Sequence, residues 1–224
     1  MKKVKLLNKK EGIQIEKIDN KDIAYMIGFI CADSSINSNN SVELGVKLED
    51  KEILDYLGNI LDSKVNIDNI INKKARRFPR ARFTKNITDI LFFIKSRLKN
   101  DRILPIVSNN LEKYLLSGFF DGDGCITWGK RKDRNRIWQK VSFTSSLKML
   151  MHVQKILQKI NISTIIRPKK DENTYVLEFS SKNEVLFFGN WLYDNDNFVV
   201  LKRKFNNFNA LRLELDKFGE TTIK

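Results

Sequence analysis

Met26-Ile-Gly-Phe-Ile-Cys-Ala-Asp33-Ser34 and Leu116-Ser-Gly-Phe-Phe-Asp-Gly-Asp123-Gly124 are two versions of one pattern, their closing acids 90 residues apart. Each reads as an apolar helix with small residues four places apart and an acid at the eighth place: Gly28 and Ala32 before Asp33, Gly118 and Gly122 before Asp123. Residues four apart lie on one helix face. Glycine inside a helix costs about 1 kcal/mol relative to alanine, so it needs a compensating reason. Close approach of two helix backbones is such a reason. Gly28, Ala32, Gly118 and Gly122 are therefore expected to form a helix–helix interface, with Ile27, Phe29, Ile30, Phe119 and Phe120 turned into the core.

The acids add chemistry to this packing. A carboxylate at a helix C-terminus faces the negative end of the macrodipole. Two of them brought together repel, and each tends to take up a proton. A divalent cation between them removes both problems, and hard oxygen donors without sulfur or imidazole favour Mg²⁺. The chain carries 41 Lys+Arg against 27 Asp+Glu, a net charge of +14, which favours a polyanionic partner. Paired acids in so basic a chain point to metal-dependent chemistry on nucleic acid.

The likeness between the halves continues in order beyond the two motifs. After Asp33 come a Ser/Asn-rich turn, an alternating strand Val42–Leu48, and a helix with Ile53, Leu54, Leu57, Ile60 and Leu61 at helical spacing. After Asp123 come Cys125–Gly129, a charged turn, the strand Ile137–Phe143, and a helix with Met149, Leu150, Val153, Ile156 and Leu157. Two further strands follow in each half, over 65–73 and 78–85 in the first and 162–169 and 174–180 in the second. Asp89-Ile-Leu-Phe-Phe93 and Glu184-Val-Leu-Phe-Phe188 then read as related helices. The fold class is α+β, an αββαββα unit duplicated over 1–105 and 106–224. The junction lies near Arg102-Ile-Leu-Pro105, and 198–215 reads as a final helix or cap.

Composition removes several function classes. At 224 residues and 42% hydrophobic content the chain can bury a real core. The apolar run Ala24–Ala32 is far too short to span a bilayer, and no signal-peptide pattern opens the sequence, so no membrane partner and no secretion are expected. Cys31 and Cys125 have no CxxC spacing and read as reduced packing residues in a cytosol-like compartment. The single histidine, His152, cannot supply an imidazole-rich metal centre, and no Ser/His or Cys/His pair suggests a covalent mechanism. Catalysis falls to carboxylates, lysines and water.

On these residues the chain resembles the LAGLIDADG homing endonucleases in their single-chain form with two motifs, from about Asp22 to about Phe208. The stretch Leu192-Tyr-Asp-Asn and Leu201-Lys-Arg-Lys-Phe205 is similar to a segment common near the end of such proteins. The resemblance implies a pseudo-twofold DNA-binding saddle of two four-stranded antiparallel sheets, with the motif helices as its axis. It implies a monomer that binds a long, roughly pseudo-palindromic duplex and hydrolyses one phosphodiester per strand, in a phage host, a bacterium or an organelle. By position the implied metal ligands are Asp33 and Asp123, with the backbone of Ala32 and Gly122 beside them. They would hold two or more divalent ions, with Ca²⁺ or Mn²⁺ able to replace Mg²⁺. Asp121, at the sixth place, has Cys31 as its counterpart and is not at a ligand position. Ser34 departs from the pattern, which has glycine there. The candidate basic helpers are Lys47, late in its strand, and Lys202 and Lys204 in the closing segment; Thr144 and Ser145 occupy the region matching Lys47 in the second half.

DNA recognition is expected on the strands. Lys73, Lys74, Arg76, Arg77, Arg80, Arg82 and Lys85 contain no acid among them, and Lys130, Arg131, Lys132, Arg134, Arg136 and Lys140 surround a single Asp133. Arg136, Trp138 and Lys140 alternate with Ile137, Val141 and Phe143, so they share a strand face, and Arg167 and Lys169 extend the same surface. Paired strands fit the major groove, where arginine reads guanine with two hydrogen bonds. The alternative is a non-cleaving nucleic-acid-binding protein on the same scaffold, an intron-splicing maturase or a transcription regulator. Two further readings explain less. A duplicated protein-binding domain leaves the acids and basic hairpins unused. A D…ExK nuclease built on Asp33 and Glu49-Asp50-Lys51 leaves the second motif without a role. An intein is not expected, since the terminal residues that protein splicing uses are missing.

Overall fold

Among the described residues, the two apolar segments that open the halves form helices, and the alternating segments form strands. The computed structural model describes residues 18–36, 38, 41–71, 77–86, 104–131, 136–170, 173–194 and 199–217. Packing divides the chain into two compact units, Met1–Phe119 and Phe120–Lys224.

In the first unit, α1 (Lys21–Asp33) starts where the Asn20 side chain accepts a hydrogen bond from the Ile23 amide at 2.9 Å. This caps one of the amides that a helix start leaves without an intrahelical partner. From Ile23 to Ala32 every residue is buried, so α1 has no solvent face along that run. It is followed by β1 (Ser34–Ile36), β2 (Ser41–Lys47), a 3-10 turn at Leu48–Asp50, α2 (Lys51–Ile60), β3 (Asn66–Ile71) and β4 (Arg77–Asn86). The strands form one antiparallel sheet in the order β1-β2-β4-β3. Val42, Leu44, Val46, Ala81 and Phe83 are buried on one face, while α2 packs on β2 and β4 and buries Ile53, Leu54 and Leu57.

The second unit repeats this plan. α3 (Asn109–Asp123) runs across the division between the units and leads into β5 (Gly124–Arg131), β6 (Arg136–Ser145), α4 (Leu147–Lys159), β7 (Ile165–Pro168), β8 (Tyr175–Phe179), α5 (Lys182–Tyr193) and α6 (Lys202–Lys217). The sheet order is β5-β6-β8-β7, again antiparallel throughout. The pairing registers match as well: Ser34 lies opposite Leu44, and Gly124 lies opposite Phe143. Phe188 of α5 centres the core, its ring 5.3 Å from Phe120, 6.1 Å from Phe143 and 5.5 Å from Phe179, each nearly edge-on. Such geometry suits the aromatic quadrupole.

The two four-stranded sheets and their helix order agree with the fold read from the sequence. Some boundaries move. The strand expected over 162–169 contracts to Ile165–Pro168, because a turn with Asn161 at φ 58° intervenes and Ile162 is buried beside it. The final helix starts at Lys202, and the helix expected at Asp89–Phe93 lies outside the described residues. Among the described residues no helix is long and apolar enough to cross a membrane.

Candidate functional site

The small residues of the motifs set how closely α1 approaches the first part of α3, a contact within the first unit. A Cβ placed on Gly28 would lie 2.0 Å from the Leu115 carbonyl oxygen and 2.9 Å from the Phe119 amide nitrogen. One placed on Gly118 would lie 1.9 Å from the Tyr25 oxygen and 2.8 Å from the Phe29 nitrogen. The contact is therefore backbone on backbone. Ala32 is buried and Gly122 is half-buried, each in the last turn of its helix.

Each helix ends on its acid, and the next residue opens a strand. Asp33 is the last residue of α1 and is exposed; Asp123 is the last residue of α3 and is half-buried. Ser34, in the place of the pattern's glycine, turns its hydroxyl back to donate to the Ile30 carbonyl at 2.6 Å, so it closes α1 by back-bonding. The donors at both helix ends are carboxylate and carbonyl oxygens, the hard set that Mg²⁺ or Ca²⁺ prefers. Among the described residues no group of three or more His, Cys, Asp or Glu side chains converges on a possible metal site. An ion at Asp33 or Asp123 would thus complete its shell with backbone, water or phosphate oxygen, as Mg²⁺ commonly does. The donors fit such an ion without enclosing it.

The three lysines singled out as helpers occupy different environments. Lys47 ends β2, exposed, 3.5 Å from Glu49. Lys202 is exposed at the start of α6. Lys204 is buried, and its ammonium donates to the carbonyls of Phe120 (2.5 Å), Asp121 (2.8 Å) and Gly124 (2.6 Å). Burial pushes its pKa down to about 8, a fall that the Asp121 carboxylate opposes. Asp121 itself is buried and accepts the Leu201 amide at 2.9 Å, which gives the sixth-place acid a structural use.

The basic residues divide between the two sides of the sheets. In the second sheet Ile126, Ile137, Val141, Phe143, Leu177 and Phe179 are buried toward the helices. Arg136, Trp138 and Lys140 fall on the opposite face by strand alternation, as do Arg131, Arg167 and Glu178. Trp138 is 41% exposed, an indole displayed among cations. A shallow depression of about 370 Å³ is lined by Arg131, Arg136, Trp138, Lys140 and Ser180 with Ile137 and Gln139. Glu178 lies 3.3 Å from Lys140 and 3.5 Å from Arg167, so one acid holds two cations on this face. Lys169 is exposed just beyond β7. In the first sheet Arg82 pairs with Glu43 on the corresponding face. Arg77, Arg80 and Lys85 belong to β4, whereas Lys73, Lys74, Arg76 and Arg134 lie outside the described residues.

Lys130 has a different neighbourhood. It sits opposite buried Ile137, and its ammonium meets Glu214 of α6 at 2.6 Å. Hydrogen bonds from Lys130 and Lys217 hold the Glu214 carboxyl down at about 2. Trp128 and Asn207 reinforce the same seam: the indole donates to the Asn207 oxygen at 3.0 Å, and the Asn207 amide donates to the Ile126 carbonyl at 2.7 Å. Glu43 and Glu178 had a visible signal in sequence, since each stands between two buried apolar strand residues. The buried end of Lys204 had none, because Leu-Lys-Arg-Lys reads as surface.

A LAGLIDADG-like domain family matches residues 110–191, the stretch from early α3 nearly to the end of α5. Residues 110–191 form a LAGLIDADG-like domain. The LAGLIDADG fold extends well beyond it. The I-LtrWI LAGLIDADG homing endonuclease, solved bound to target DNA, matches with a TM-score of 0.60 at 13% identity over 90% of this chain and 91% of that one. The LAGLIDADG meganuclease I-AabMI, bound to uncleaved DNA, gives 0.60 at 14% identity over 91% and 93%. I-SmaMI, bound to an uncleaved DNA target in the presence of calcium ions, gives 0.61 at 11% identity over 92% and 94%. No curated protein matches by sequence.

Proposed function

We propose that the chain is a site-specific, divalent-metal-dependent endonuclease of double-stranded DNA, built from repeats at 1–105 and 106–224. The observation that carries this reading is the repeated placement of an acid as the last residue of a glycine-bearing helix, at the head of an antiparallel sheet. Asp33 and Asp123 bind the ions, aided by the carbonyls of Ala32 and Gly122. Bound divalent ions, Mg²⁺ in the first instance, lower the pKa of water and neutralise charge on a phosphodiester under attack. The strand faces bearing Arg82, Arg136, Trp138, Lys140 and Arg167 take the duplex, cations on phosphate and guanine edges, the indole on thymine methyls or sugars. The DNA-bound state of the structural relatives supports that choice of partner. Lys47 and Lys202, both exposed, are the side chains that approach phosphate as the duplex docks.

Cleavage of a supercoiled plasmid library carrying candidate sites, with Mg²⁺, tests this. The expected result is linear product from wild type and none from Asp33→Asn or Asp123→Asn, with DNA binding by both variants retained. Undiminished cutting by either variant refutes the assignment. A wild type that binds a site but never cuts favours the non-cleaving reading, a maturase or a regulator.

A further inference from the structure

We propose that Lys204 is a positioning residue whose ammonium, delivered by α6, gathers the backbone on both sides of Asp123 and fixes the direction of that carboxylate. This rests on reading Asp123 as a metal ligand.

An α-helix leaves its last four carbonyls without intrahelical partners. In α3 these belong to Phe120, Asp121, Gly122 and Asp123. Lys204 takes two of them, at 2.5 and 2.8 Å, and adds the carbonyl of Gly124, the first strand residue, at 2.6 Å. The bonded carbonyls therefore bracket Asp123 in sequence. An ammonium has three protons and no acceptor. All three are engaged with backbone oxygen, which leaves none for a phosphate or a catalytic water. A cation at this end of a helix is also favoured by the macrodipole. The ammonium sits 5.0 Å above the Phe120 ring, which closes its remaining side.

The lysine is itself held in place. The Leu201 amide donates to Asp121 Oδ2 at 2.9 Å, so the start of α6 and the end of α3 bind each other in both directions. Farther along, Asn207 and Glu214 fasten α6 to β5 through Ile126, Trp128 and Lys130. At the end of α1, Ser34 bonds back to the Ile30 carbonyl, and Cys31 stands where α3 has Asp121. Lys204 serves Asp123.

Two experiments on the full chain test this. The first uses wild type at pH 6, below the lowered pKa, and follows the lysine ammonium signals by ¹⁵N NMR. Lys204, identified by its loss in Lys204→Arg, is expected to exchange its protons at least about tenfold more slowly than the surface lysines. Its signal is also expected to hold its shift when target DNA and Ca²⁺ are added. Exchange as fast as the surface lysines, or a large shift on adding DNA, overturns the inference. The second measures Mn²⁺ affinity, amide exchange over 119–125 and cleavage in Lys204→Met. Loss of an outer-shell partner typically costs about 10–100-fold in metal affinity, so Mn²⁺ binding should weaken by that order. Exchange should rise over 119–125, and raised Mn²⁺ should restore cleavage with an unchanged pH–rate shape. A variant that binds Mn²⁺ like wild type yet has lost cleavage, with one limb of the pH profile gone, would make Lys204 a catalytic group and end the proposal. A wild type that holds no Mn²⁺ refutes the metal reading itself, and is told apart because the NMR arm still reports the clamp.

Discussion

Replacing Gly28 by alanine separates the two forces that act at that position. Helix propensity alone favours alanine by about 1 kcal/mol, so an uncrowded glycine would make the variant more stable. The new Cβ, however, would stand 2.0 Å from the Leu115 carbonyl oxygen and 2.9 Å from the Phe119 nitrogen. Both atoms are backbone, so no rotamer change can relieve the overlap. Ordinary carbon contacts begin near about 3.5 Å, so α1 and α3 must part by roughly 1.5 Å. Overpacking a well-filled core costs about 1–3 kcal/mol, and rigid backbone on both sides places Gly28→Ala at the upper end or beyond. After subtracting the propensity gain, the net loss is about 2 kcal/mol. For a chain of this length that lowers Tm by about 4–8 °C. Urea and thermal unfolding, followed by circular dichroism, measure it directly. A variant as stable as wild type, or more so, would refute the backbone contact.

Four further outcomes are expected. Neutralising Asp33 or Asp123 removes cleavage and spares binding, as the plasmid assay reads. If six or more phosphates are contacted, log K against log salt has a slope steeper than about −5, and a nearly flat plot would exclude this surface as a duplex site. Glu178→Gln frees Lys140 and Arg167 from their shared acid; competition binding should then find tighter non-specific DNA affinity and a smaller ratio of specific to non-specific binding. The Glu214 carboxyl titrates at about 2 against an ordinary value of 4.5, so its contribution to stability is full above the ordinary value and fades as pH falls toward the lowered one. Lys130→Met should move its carboxyl ¹³C titration upward and start acid destabilisation at a higher pH.

The parts of the molecule legible in sequence are those encoded by local periodicity. The run from Ile23 to Ala32 has no polar face, and the structure buries all of it. Alternation in Val42-Glu-Leu-Gly-Val-Lys placed β2, and helical spacing of Met149, Leu150, Val153, Ile156 and Leu157 placed α4. Long-range pairing was not legible. Lys204 meets Phe120, Asp121 and Gly124 across 80 or more residues, and no spacing rule couples those positions. Lys130 belongs to a basic run yet faces α6, because strand parity gives each neighbour in such a run the opposite side of the sheet. A cluster of cations in a hairpin therefore overstates the charge available to a ligand by whatever share the parity turns away. Glu43 and Glu178 reduce it again.

Among the described residues each half completes its own ladder: β1-β2-β4-β3 and β5-β6-β8-β7 exchange no strand with one another. Residues on the outward face of one sheet can accordingly be randomised, or a whole hairpin transplanted, while the pairing of the other stays as it is. A foreign helix put in place of α1 or the first part of α3 would, by contrast, have to fit at Gly28 and Gly118, where backbone meets backbone.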